Sequence, residues 1–138
     1  MRNAIGVVLF GIFGSLALLH VYWALGGEAG RAAGVPSVGG KRLFEPSRFG
    51  TLLVAGALLV AAIVIGGIAG WLGGRVPSNV LRWLTLGISL VFLLRAVGDF
   101  RYVGFFRRPS ETPFADWDRR LYSPLCLFIA AAALMLVW

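Results

Sequence analysis

Long runs of apolar residues alternate with short polar blocks along this chain. Four runs are long enough to cross about 30 Å of hydrocarbon as α-helices, which takes about 20 residues each. They cover about residues 4–25, 49–73, 80–103 and 121–138. A spanning segment must satisfy its own backbone hydrogen bonds, so four such runs predict a compact helical bundle. The first run, with Arg2 before it and Ala24-Leu25-Gly26 after it, loosely resembles a secretory signal. It is read as a transmembrane helix that is retained.

The connections between the runs are unequal. The first, Gly26 to Arg48, is long and glycine-rich, and the second, around Gly74 to Asn79, reads as a tight turn with Ser78 or Asn79 as helix cap. In the third, Arg101 to Arg120, Thr112-Pro113 has the form of a helix cap followed by proline at the first helical position. From there Phe114, Trp117 and Leu121 recur at helical spacing, with Asp116, Asp118, Arg119 and Arg120 on the other face. This predicts a short amphipathic helix lying in the interface until Pro124 bends it into the last span, with Asp116 and Arg120 spaced to pair. The fold class is all-α: a single integral membrane domain over 1–138, a four-helix transmembrane bundle with a short interfacial helix before the last span.

Composition supports this class and removes others. Hydrophobic residues make up 59% of the 138 and charged ones 14%. Soluble domains run nearer 45–50% and about 25%, so neither a soluble enzyme nor a disordered chain is expected. The formal net charge of +7 comes from arginine-rich blocks between the spans. That distribution suits membrane-surface anchoring rather than nucleic acid. Arg31, Lys41, Arg42, Arg48, Arg101, Arg107, Arg108, Arg119 and Arg120 lie in the first and third connections, against Arg2, Arg75 and Arg82 on the opposite side. The excess places connections 26–48 and 101–120 in the cytoplasm and both termini outside. One cysteine, Cys126, excludes an internal disulfide, and with a single histidine no metal site is expected.

Small residues mark where helices approach. Ala62, Gly66, Gly70 and Gly74 recur every four residues and would give a flat stripe. It packs inside the bundle or forms a homodimer face through Gly66, Gly70 and Gly74. Chemistry-bearing residues gather at the end bordered by the two longer connections: His20, Tyr22 and Trp23, then Arg48, then Arg95, Asp99, Arg101 and Tyr102, and Tyr122. Arg95 and Asp99, four apart, are expected to pair, because a lone charge in hydrocarbon is costly. The expected site is a polar pocket with His20, Arg48, Arg95, Asp99 and Tyr102 at its centre.

Several stretches carry a resemblance: His20 to Gly27 (HVYWALGG), Arg95 to Phe106, Thr112-Pro113-Phe114-Ala115 with Asp118, and Tyr122-Ser123-Pro124-Leu125-Cys126. In these the chain resembles a widespread bacterial family of small four-span membrane proteins of unknown function. The resemblance implies an inner-membrane bundle and carries no activity.

Two function classes remain. The first is a protein that binds a membrane lipid or another amphipathic small molecule, or serves as accessory subunit of a membrane complex. The second is a small membrane enzyme using His20, Asp99, Tyr102 and Tyr22 as acid–base groups with Arg48, Arg95 and Arg101 as an anion clamp. No cofactor is identifiable. Transport ranks below both, since no acidic residue lies at mid-span and no internal repeat is evident.

Overall fold

The computed structural model describes residues 1–138. Four long helical paths cross one another in antiparallel succession: α1 (Arg2–Ala24), α3 (Arg48–Ile68), α4 (Ser78–Val97), and a path from Pro113 to Val137. All four are long and apolar enough to span a membrane, and the chain is a multi-pass membrane protein. The last path is α5 (Pro113–Trp117), a wider π-helical turn (Asp118–Tyr122) and α6 (Ser123–Val137) in direct succession. The short amphipathic helix is therefore present, merged with the last span. Proline has no N–H and its ring crowds the preceding turn; the wider turn just before Pro124 lets the helix continue through it.

The core joins Leu9, Phe13 and Ala17 of α1 to Leu58, Ala61, Ala62 and Ile65 of α3 and to Ile129, Ala132, Ala133 and Leu136 of α6. The alanines of α3 and α6 let the backbones approach, which substitutes for the hydrophobic driving force absent in lipid. Phe92 of α4 closes the core, its ring edge-on to Phe13 at 5.5 Å between centroids. Ser89 ties α4 to α6 by donating to the Ala130 carbonyl at 2.8 Å. Fewer than half of the residues in each span are buried. The exposed remainder includes Leu18, Leu53, Ile63, Val91, Leu94 and Phe128, as a lipid-facing surface requires.

Helix ends depart from the hydropathy reading where glycine intervenes. α3 stops at Ile68, not Gly73. Gly70 takes φ +94°, its N–H donates to Gly67 and that of Trp71 to Gly66, which together satisfy the helix's last carbonyls. The same ending closes α1: the Gly26 N–H donates to Trp23 and the Gly27 N–H to Tyr22. The stripe of small residues is consequently not one helical face. Gly66 is covered by Trp71, Gly67 lies against Leu81, and Gly70 and Gly74 (φ +74°) belong to the turn. α4 likewise ends at Val97 rather than 103, with Gly98 at φ +90°. At its start Pro77, not Ser78 or Asn79, is the cap residue, and the Asn79 Oδ1 accepts from the Val80 N–H at 2.9 Å. The expected cap opens α5, where Thr112 accepts from the Ala115 N–H, and Ser47 caps α3 by accepting from the Gly50 N–H.

The first connection is not irregular throughout. It holds one helical turn, α2 (Arg31–Gly34), and a hairpin of β1 (Ser37–Val38) with β2 (Lys41–Arg42). Both turn residues, Gly39 and Gly40, have positive φ, as a tight two-residue hairpin demands. At the opposite end of the bundle the Arg2 guanidinium donates to the carbonyls of Leu136 and Ile68. A cation there suits the negative ends of two helices.

Candidate functional site

The longer connections and four helix ends do share one end of the bundle. His20 sits near the end of α1 with Nδ1 2.7 Å from the Leu16 carbonyl. A carbonyl only accepts, so Nδ1 carries the proton. Trp23 stands edge-on to His20 and donates from Nε1 to the Ala29 carbonyl at 2.8 Å, which folds the first connection back over the helix end. Tyr122, on the π-helical turn, donates to the Ala33 carbonyl at 3.1 Å and holds α2 down over the bundle. Beneath α2 lies a cleft of about 600 Å³, and His20, Trp23, Arg95 and Tyr122 all line it. Its floor is apolar, formed by Leu16, Leu58 and Phe92 among others.

The expected pairing of Arg95 with Asp99 does not occur. α4 has already ended at Val97, so the spacing that would align the two side chains on one helical face is lost. Arg95 instead donates from Nη2 to Asp118 Oδ1 at 2.8 Å, a partner 23 residues along the chain. Asp118 is fully buried. Its other oxygen accepts from the Gly104 N–H at 2.8 Å and lies 3.5 Å from Arg107 Nε. Arg107 is itself almost wholly enclosed and also donates to the carbonyls of Ala115 and Arg108. One carboxylate thus joins the end of α4, the third connection and the last helix. It is a clamp.

Asp99 has a different task. Its Oδ1 accepts from the N–H groups of Arg101, Tyr102 and Val103, at 2.9, 2.7 and 3.0 Å. Burial alone would raise the pKa of this carboxyl; the three N–H groups, led by Val103, outweigh it and hold the pKa below the ordinary 3.8. Asp99→Ala should therefore cost about 1 kcal/mol, the usual worth of a lost side-chain cap. Because the folded pKa is depressed, this stabilisation is fully present above the ordinary value and is lost as pH falls through the folded one. Thermal unfolding of wild type and D99A as a function of pH tests it: the two curves should converge in acid, and a constant gap would refute the capping role.

The remaining candidates lie apart from the cleft. Arg48 is exposed at the first residue of α3, and half-exposed Tyr22 accepts from the Ala29 N–H. Arg101 stacks its guanidinium over Tyr102 at 5.2 Å, and both line a separate depression of about 260 Å³ with Arg107 and Arg108. Asp116 and Arg120 form no ion pair; both are exposed. Sequence reasoning missed Asp118 and Arg107. Asp118 does not lie opposite Phe114 as expected: their four-residue spacing, the signal available in the sequence, puts them on one face, and both are buried whereas Trp117 and Leu121 are exposed. No three His, Cys, Asp or Glu side chains come together as a metal site would need.

The family model described as "Protein of unknown function (DUF3995)" matches residues 13–133, which include α3, α4, the clamp and the whole lining of the cleft. The chain belongs to the DUF3995 family. No curated protein and no solved structure matches it. As a DUF3995 member it has the four spans that its sequence resemblance implied, and the family name assigns no activity.

Proposed function

We propose that this DUF3995 protein binds one amphipathic small molecule from the membrane in the cleft beneath α2. The observation that carries this reading is the gradient along the cleft. Polar groups of His20, Arg95 and Tyr122 lie toward the connections, and the lining deepens through Leu16 and Phe92 to Leu58. Leu58 lies ten residues into α3, which at 1.5 Å per residue is roughly 15 Å below its start. That is half the thickness of a hydrocarbon core, a fit for a head at the interface and a chain in the interior. Leu19, Trp117 and Leu121 edge the cleft and are exposed, so a ligand would enter sideways from lipid. The excess of arginine at this end favours a cytoplasmic position for it, in a bacterial inner membrane with both termini outside.

The test is native mass spectrometry on gently purified protein with a lipid extract in excess. Wild type should retain one small molecule per chain. Leu19→Trp and Val54→Trp, at exposed positions on the cleft lining, should fold with the melting temperature of ligand-stripped wild type and lose it. Retention in both variants, or no bound mass in wild type, would refute the cleft as a binding site.

A further inference from the structure

We infer that the molecule in this cleft has a negatively charged head, an oxyanion that meets the guanidinium of Arg95. The inference rests on the cleft reading and adds the chemical class of the ligand. It follows from two tallies, one of charge and one of donors.

The charge tally is uneven. Two guanidinium groups, Arg95 and Arg107, share the single carboxylate of Asp118. Arg107 is enclosed and occupied by Asp118, Ala115 and Arg108. Arg95 keeps 32% of its side chain open, and it is the one charged side chain lining the cleft. No acidic residue lines the cleft, so the surplus positive charge faces an apolar cavity. A cation in such surroundings is costly without a counter-charge.

The donor tally points to the same atom. The His20 Nδ1–H is used on Leu16, the Trp23 Nε1–H on Ala29 and the Tyr122 hydroxyl on Ala33. The Arg95 Nη2 is used on Asp118, whereas Nη1 is buried and has no acceptor. Buried donors are ordinarily satisfied, and each left unmade costs free energy. A head group parting the side chains over Nη1 would supply both the missing acceptor and the missing charge. A carboxylate and a phosphate share this chemistry; an alcohol supplies only the acceptor.

The experiment compares three single-chain probes of equal length on the full protein in nanodiscs: palmitate, hexadecyl phosphate and hexadecanol. A hydrogen bond in which both partners are charged is markedly stronger than one to the neutral alcohol oxygen, so at least one anionic chain should bind about tenfold or more tighter than hexadecanol. Whichever anion binds more tightly identifies the head class. Arg95→Gln should reduce the discrimination to about threefold or less. Since that variant strands Asp118, the double variant Arg95→Gln/Asp118→Asn, which leaves no unpaired carboxylate, should show the same loss. Equal binding of hexadecanol and both anions in wild type would overturn the charged head while leaving the cleft intact. Discrimination that survives in the folded double variant would overturn the role of Arg95. Failure of all three chains to bind would overturn the cleft reading and this inference together.

Discussion

Asp118→Asn is expected to be the most damaging conservative substitution in the chain, lowering stability by about 3–5 kcal/mol, the usual cost of breaking a buried ion pair by removing one partner. The amide keeps the shape and removes the charge. Its NH2 replaces one of the two acceptor oxygens and so faces a group that already donates, either Arg95 Nη2 or the Gly104 N–H. Arg95 and Arg107 would be left as two cations with no counter-charge. The measurement is the melting temperature in detergent, with Asp99→Ala as comparison at about 1 kcal/mol. A double-mutant cycle with Arg95→Gln should recover part of the loss, since it leaves one cation, Arg107, without a counter-charge instead of two. A melting temperature for D118N equal to that of wild type would show that the clamp contributes nothing to the fold.

The contrast between Asp99 and Asp118 shows where sequence reasoning stopped. The four spans were legible because a backbone in hydrocarbon has few alternatives to helix, and apolar length alone reports it. The helix ends were not. The same glycines that read as a packing stripe, Gly70 and Gly74, are left-handed turn residues, and only tertiary context separates the two uses. Once α4 ends at Val97, the local partner of Arg95 disappears and a distant one takes its place. Helix alternation alone brings His20, Trp23, Arg95 and Tyr122 to one end. That they line one cleft, whereas Arg48, Asp99, Arg101 and Tyr102 do not, depends on how α2 and the third connection fold back over the bundle. Those contacts join residues 14 to 89 positions apart and leave no periodic trace.

The third connection itself supplies the second large effect. Gly104 takes φ +87°, and a Cβ there would collide with the backbone of Val97 and Gly98. Its N–H is one of the donors that satisfy Asp118. Gly104→Ala should thus incur about 1–2 kcal/mol for the left-handed backbone. A further 1–3 kcal/mol, roughly, follows if the displaced N–H leaves the buried carboxylate short of a partner. The effect should be seen as a lower melting temperature and as faster tryptic cleavage after Arg101 and Arg107 when the connection lifts. Gly14→Ala is the control: it lies within α1 with open space around it and should stabilise by about 0.5–1 kcal/mol. If G104A melts with wild type and resists trypsin equally, the connection is not held by the clamp. If it fails as expected, the damage should extend to ligand retention, because Asp118 is the group that orients Arg95 at the cleft.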